Sequence, residues 1–286
     1  MSKRKTAKMI IIVAIVLVVS ALFAWLVYSN IKIELNTYKV ESNKIPEAFD
    51  GYRIVQVSDV HNGKAFNKNQ RLFEIIRKAE PDIIAVTGDL LDSRRTDVSF
   101  ALEFMEGAVE IAPCYYVTGN HESRVPEEFE ELRKGLEDLG VVILENEVLS
   151  IEKNNSSITL MGIADPRFTC EYIKDDKAVV DDTLTSLTFD KESFSVLLSH
   201  RPEMFELYAK YDFDLVLSGH AHGGQVRLPF VGGLCAPSQG LLPKYDAGLF
   251  EEDNTKMIVS RGAGNSLFPF RVGNSPEIVV AELARK

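Results

Sequence analysis

All five histidines of this 286-residue chain sit in or beside short motifs of glycine and metal-type ligands. His61 closes Ser58-Asp59-Val60-His61, and His121 lies in Gly119-Asn120-His121-Glu122. His200 follows Leu198-Ser199, while His220 and His222 share Gly219-His220-Ala221-His222-Gly223-Gly224. With Asp89 of Thr87-Gly88-Asp89 the order along the chain is Asp-x-His, Gly-Asp, Gly-Asn-His, His, Gly-His-x-His. Two carboxylates, one amide and four imidazoles suit a pair of divalent cations. A fifth imidazole is then left for proton transfer. Such a set points to hydrolysis assisted by two metals.

Each fragment alone says little, because a lone Gly-Asp is more often a turn and a lone histidine is more often a hydrogen-bonded structural residue. Their placement gives the set its weight. The apolar run from Arg53 delivers Asp59, Asp82 to Thr87 delivers Gly88-Asp89, and Cys114 to Thr118 delivers Gly119-Asn120-His121. Helical spacing predicts helices over Asn67 to Ala79, Val98 to Val109 and Pro126 to Leu139 between these strands. Strands that alternate with helices and carry ligands at their carboxyl ends are the signature of an α/β fold. After Gly140 the pattern turns to strands, over Val141 to Leu144, Val148 to Glu152 and Ile158 to Ile163. Asp165 to Asp182 shows no clear periodicity. Two further apolar runs, Phe194 to Ser199 and Phe213 to Ser218, deliver His200 and His220, Gln225 to Leu228 reads as a strand, and Glu277 to Leu283 closes the chain.

Met9 to Tyr28 has only Ser20 as a clearly polar residue, and its length as a helix, roughly 30 Å, matches the bilayer core. No good small-residue cleavage pattern follows, which predicts an uncleaved anchor rather than the alternative, a cleaved signal peptide. Residues 1–8 are then a basic cytoplasmic flank, 9–28 the anchor and 31–286 one catalytic domain, with Ile31 to Val40 a half-buried strand. Lys3, Arg4, Lys5 and Lys8 precede the span, whereas Lys32, Lys39 and Lys44 follow it more diffusely. The positive-inside rule thus predicts a cell-membrane protein with a cytoplasmic N-terminus and an extracytoplasmic domain. With the four leading cations set aside, 28 basic and 42 acidic residues leave that domain at −14. This charge argues against a nucleic-acid partner. Cys114, Cys170 and Cys235 show neither a disulfide framework nor zinc spacing.

The chain resembles the calcineurin-like metallophosphoesterase superfamily from about Arg53 to Leu283, with all five motif blocks present. Gly219 to Pro229, Gln239 to Tyr245 and Ser260 to Ser266 are similar to the membrane-anchored YkuE/YaeI-type branch. The resemblance implies a four-layer α/β/β/α sandwich of two mixed sheets with the metals at one edge. It implies one metal held by Asp59, His61 and His222, a second held by Asn120, His200 and His220, and Asp89 bridging them. It also implies that His121 faces the substrate. The ligand types fit Mn, Fe, Zn or Co, without selecting among them.

Asn62, Arg227 and Arg261 are candidate substrate contacts, and Arg271 lies in the same Gly-rich surroundings. A turn residue and structural ion pairs are the competing readings. Asp92 and Glu122 flank ligands and could orient them. Apolar residues between His222 and Phe250, among them Phe230 and Leu241, are expected in loops beside the metals. Next to an anchor, such loops suggest an amphiphilic phosphate ester or pyrophosphate, and the family likeness includes hydrolases of the UDP-2,3-diacylglucosamine type. The alternatives are a nucleotide phosphodiesterase and a non-catalytic metal-binding scaffold.

Overall fold

Period-two burial sorts the strand side chains into three apolar layers. In the computed structural model, which describes residues 3–61, 68–169, 175–265 and 270–286, both faces of most central strands are covered. Helix α1 (Lys3–Ile31) leads into β1 (Glu34–Ser42) and β2 (Arg53–Val57). Then come α2 (Lys68–Lys78), β3 (Ile83–Thr87), α3 (Val98–Val109), β4 (Cys114–Val117), α4 (Pro126–Asp138) and β5 (Val142–Ile143). The second half holds β6 (Glu147–Lys153), β7 (Ser156–Gly162), α5 (Asp176–Ser186), β8 (Ser195–Leu198), α6 (Phe205–Lys210) and β9 (Leu215–Ser218). Two small ribbons follow, β10 (Arg227–Leu228) with β11 (Gly232–Gly233) and β12 (Cys235–Ala236) with β13 (Gly240–Leu241). The chain ends with β14 (Gly248–Glu252), β15 (Thr255–Val259) and β16 (Glu277–Arg285).

Six strands form a first sheet in the order β1-β16-β2-β3-β4-β5, and six form a second in the order β14-β15-β9-β8-β7-β6. Both are mixed: β2 to β5 and β7 to β9 run parallel to their neighbours, whereas β16 opposes β2 and β6 opposes β7. Ile84 and Val86 of β3 join Leu72, Phe104 and Leu132 under the outer helices. The intervening Ile83 and Ala85 face the second sheet, among Val196, Leu198, Leu215 and Leu217. Leu197 and Val216 point the other way, onto Val180, Leu184, Phe205 and Tyr208 of α5 and α6. Helix, sheet, sheet and helix therefore stack as four layers, as the family resemblance implied.

Parallel strands share a direction, so β2, β3, β4, β8 and β9 all deliver their carboxyl ends to one rim. Gln56 fastens the two sheets near it: its Nε2 donates to Thr87 Oγ1 and to the Ser218 carbonyl, both at 2.9 Å.

Several boundaries differ from the sequence-based expectation. Helix α1 continues through Ile31, so β1 begins at Glu34. Asp176 to Ser186, in and beyond the stretch without periodicity, is helical; Val180 and Leu184 are its buried apolar residues, too few to mark a face. Helix α6 has only six residues, shorter than the window in which a 3.6-residue period can be seen. The strand expected over Gln225 to Leu228 is reduced to the two residues of β10. The apolar segment beyond it holds ribbons, and β14 is a half-exposed edge strand paired with β15. The start of the helix expected at Asn67, and Cys170, lie outside the described residues. Residues Ala7–Ile31 form one helix long and apolar enough to cross a membrane.

Candidate active site

Five of the seven expected ligands have a left-handed backbone. The φ angles are 53° at Asp59, 47° at His61, 54° at Asp89, 64° at His220 and 48° at His222. This region disfavours residues with a Cβ by roughly 1–2 kcal/mol each, and such strain gathers where side chains must be aimed. Glycines next to the ligands allow the strand ends to close on one another. A Cβ on Gly219 would overlap the Ser58 hydroxyl, and one on Gly119 would overlap Asp89 Oδ1. The glycines in the Gly-His and Gly-Asn-His motifs are thus packing requirements of the site.

The ligand atoms converge in two groups that share Asp89. Asp59, His61, Asp89 and His222 form one, and Asp89, His200 and His220 the other; within each, one ligand atom per residue lies within 4.8 Å of the rest. His222 Nε2 is 3.2 Å from Asp59 Oδ1 and 3.1 Å from His61 Nε2. His200 Nε2 is 3.2 Å from both Asp89 Oδ2 and His220 Nδ1. Asn120 and all of these residues are buried. Asp59 Oδ1 and Asn120 Oδ1 have no hydrogen-bond partner among the described residues. Buried polar atoms are seldom left this way, and a carboxylate and an amide oxygen orphaned amid imidazoles fit the donor set of a metal site.

The opposite atoms of the same side chains are tied down. His61 Nδ1 lies 3.2 Å from the Leu91 carbonyl and His200 Nδ1 lies 2.7 Å from that of Thr87. A carbonyl can only accept, so both Nδ1 atoms carry a proton and Nε2 is the ring atom turned toward the cluster. Asp59 Oδ2 accepts from Ser58 Oγ at 2.6 Å and from the His220 amide at 3.1 Å, leaving Oδ1 directed to the cluster. Asp89 Oδ1 accepts from the His121 amide at 2.9 Å. Burial opposes ionisation of Asp59 and Asp89, yet the imidazoles beside them hold both carboxyls below their ordinary range. Against burial, Asp89 draws His200 up to about 10. Two carboxyls held in the ionised form amid imidazoles suit a divalent cation.

His121 is set differently. Its Nδ1 accepts from the Ser93 amide at 3.0 Å, which leaves the proton on Nε2. That Nε2 is 4.0 Å from Asp89 Oδ2. Burial pushes its pKa down to about 4, with Asp89 opposing, so the imidazole is neutral with an N–H aimed toward the cluster.

Glu122 and Arg201 support the ligands from behind. Glu122 Oε2 accepts from the amides of Asp89 and Gly119, at 3.1 and 2.8 Å, and Oε1 from that of Leu91 at 2.9 Å. One buried side chain thereby joins the turns that follow β3 and β4. Burial, and then Asp89, push its pKa up, and the amides of Leu91 and Gly119 pull it down. Asp92 lies 3.6 Å from His121 Nδ1 and accepts from the Arg94 amide. Arg201, next to His200 in sequence, makes a fork to Asp165 at 2.5 and 2.9 Å and reaches His220 Nε2 at 3.2 Å.

A cavity of about 350 Å³ opens over the cluster, lined by Asp89, Asn120, His121, His220 and His222, by Arg94, Arg124, Arg167 and Arg201, and by Cys235 to Ser238. The arginines expected to contact substrate are not among its lining. Arg227 pairs with Asp246 at 2.8 Å, and Arg261 is shared between Glu34 and Glu277 at 2.9 and 2.7 Å. Arg271 is fully buried, donating to the carbonyls of Arg261 and Gly264. Asn62 lies outside the described residues. Arg94 and Arg124 are exposed and have no ion-pair partner among the described residues. Both lie within five residues of a ligand in sequence, the signal by which they could have been found.

The sequence from residue 52 to 224, which carries every residue of this cluster, matches the model of the calcineurin-like phosphoesterases. The chain belongs to that family. An uncharacterized metallophosphoesterase of Campylobacter jejuni is 31% identical over 296 residues, covering 100% of this chain and 74% of its own. YkuE of Bacillus subtilis is 29% identical over 273 residues, covering 88% and 85%. The phosphodiesterase YaeI of Escherichia coli is 30% identical over 207 residues, covering 71% of each chain. This metallophosphoesterase is a hydrolase with a metal-binding cluster of aspartates and histidines and one helix suited to a membrane.

Proposed function

We propose that this protein is a membrane-anchored phosphohydrolase that uses two divalent cations to cleave a phosphate ester or pyrophosphate of a lipid-linked or cell-envelope substrate. The observation that carries this reading is the convergence of buried ligand atoms in two groups on the shared Asp89, with Asp59 Oδ1 and Asn120 Oδ1 left without partners. In this proposal Asp59, His61 and His222 hold one cation and Asn120, His200 and His220 the other, with Asp89 common to both. When bound, such a pair supplies an activated water and offsets the charge that develops on the phosphoryl oxygens.

The protein's own groups do the rest. His121, neutral and with its proton on Nε2, donates a hydrogen bond to a phosphoryl oxygen or to the departing oxygen and so stabilises the charge that develops there. Ser93 keeps that tautomer by donating to Nδ1. Arg94 and Arg124 bring positive charge to the cavity beside His121, where a guanidinium fork can grip a non-reacting phosphate. Cys235, Ala236 and Pro237 give one wall an apolar character that suits the organic part of the ester. The basic residues at the start of α1, Lys3, Arg4, Lys5 and Lys8, support a cytoplasmic N-terminus and an extracytoplasmic catalytic domain.

A second reading is a phosphodiesterase for soluble nucleotides, supported by the name of the Escherichia coli relative. The two separate in one experiment on the full-length chain in phospholipid vesicles. Bound metal is counted, and turnover is compared on monoesters, diesters and pyrophosphates with and without acyl chains, in Mn, Fe, Zn or Co. The proposal expects two metals per chain and preference for an acylated ester. Faster turnover of soluble nucleotide diesters supports the second reading, and no turnover with any of the four metals overturns both.

A further inference from the structure

Beside the metal cavity this molecule exposes large apolar side chains on a strained backbone. Phe230 is 110% exposed, Leu241 81% and Leu242 63%. Phe230, with φ 68°, sits in the turn between β10 and β11, and Leu242, with φ 54°, directly follows β13. Left-handed backbone is uncommon for bulky residues, and here it carries side chains that stand largely in solvent. The two ribbons are fastened together: the Leu234 amide donates to the Val226 carbonyl and the Leu242 amide to that of Leu234, both at 2.9 Å.

The same ribbons are coupled to the end of α1. That helix stops at Ile31 and β1 starts at Glu34, so only Lys32 and Ile33 separate span from domain. The Asn30 side chain donates to the Arg271 carbonyl and accepts from the Arg271 amide, both at 2.7 Å. The next residue, Val272, bridges Val226 and accepts from the Arg227 amide at 2.9 Å, at the start of β10. Ser29 is buried at this junction, while Trp25 and Tyr28 remain exposed on the last turns of the helix. Aromatic residues of this kind mark the level of the membrane interface. The domain is thus clamped to its span rather than hung from a flexible linker.

We infer that the β10–β11 turn and the end of the β12–β13 ribbon insert into the interfacial layer of the bilayer that α1 crosses. Apolar turns at that depth trade exposure to water for contact with acyl chains, as interfacial segments do. Cys235 and Ala236 of β12 also line the metal cavity. Insertion therefore brings one cavity wall to the membrane surface, where an amphiphilic ester reaches the site with its head group first. The insertion itself holds for any phosphoester substrate.

The test places a tryptophan at the ribbon tip of the full-length protein. In a Trp25→Phe background, Phe230→Trp is reconstituted in phosphatidylethanolamine and phosphatidylglycerol vesicles with and without brominated acyl chains. Emission from position 230 should be blue-shifted and largely lost in brominated vesicles. Emission from Val148→Trp, on β6 at the other edge of the second sheet, should be almost unchanged. Leu241→Trp reads the second ribbon and must behave like position 230, which covers the case in which Phe230→Trp folds poorly. Equal quenching at 148 and at the ribbon positions overturns the inference. So does quenching at 230 and 241 by aqueous iodide but not by bromolipid, the result expected if these turns face water or a protein partner.

Discussion

Two neighbouring regions of this phosphoesterase reverse the usual partition of polar and apolar groups. At the carboxyl ends of β2, β3, β4, β8 and β9 two aspartates, an asparagine and five histidines are buried. A short distance along the chain, the ribbons after His222 hold Phe230 and Leu241 in solvent. Burial of unpaired polar atoms and exposure of large apolar ones both cost free energy, and in both regions some of the backbone is left-handed. The difference teaches what each region is built to meet. The first gathers the donor set of a metal site, and the second presents the apolar tips proposed to meet a bilayer.

The widest separation between the two regions should come from Asp89. If its carboxylate joins both ligand groups, Asp89→Ala abolishes turnover and loses metal from both positions, measured by elemental analysis beside a rate assay. The ribbons should be unaffected. Near-normal turnover with two metals still bound would contradict the shared role of Asp89 and remove the basis of the comparison.

His121 divides the cluster more finely. Its Nδ1 is occupied by Ser93 and its Nε2 lies farther from Asp89 than that of His200 does, 4.0 against 3.2 Å. His121→Ala should therefore keep its metal stoichiometry while turnover falls about 10²–10³-fold, as for a lost hydrogen-bond donor to developing charge. Loss of metal in this variant would make His121 a ligand and leave the site without an assigned donor to the substrate.

The polar region was legible in the sequence and the apolar one only in part, for a physical reason. Ligand chemistry accepts few residue types, and close approach of the strand ends demands glycine beside them, so Gly119-Asn120-His121 and Gly219-His220 stand out in one dimension. The α/β class follows from buried strands alternating with helices, a pattern clear in Ile83 to Val109, whereas the four-layer stacking was implied by the family resemblance. Arg227, Arg261 and Arg271 show the limit. An arginine in a Gly-rich stretch looks the same whether it faces a phosphate or, as here, Asp246, Glu277 or backbone carbonyls. Of the four arginines that do line the cavity, Arg94 and Arg124 follow ligands closely but match no motif. The ribbons escaped because strands of two residues have no period, and the edge strand β14 is only half buried.

The smallest expected effect on the cluster comes from Glu122, a residue that positions ligands without being one. Its two oxygens accept three amide protons, from Asp89 and Gly119 on one side and Leu91 on the other. Glu122→Gln keeps the shape but turns an NH₂ group toward at least one of those amides, so one buried donor loses its acceptor. That costs roughly 1–3 kcal/mol of stability, and it loosens the turn that aims Asp89. Metal affinity should fall about 10- to 100-fold, the usual range for a group that orients a ligand. Turnover at saturating metal should stay close to that of the native protein. Titration of activity against metal concentration separates this outcome from that of His121→Ala, in which added metal restores nothing. An unchanged metal affinity in Glu122→Gln would mean that the turns after β3 and β4 hold their shape without the shared carboxylate. The strained φ at Asp89 would then be set by the Gly88 and Gly119 contacts alone.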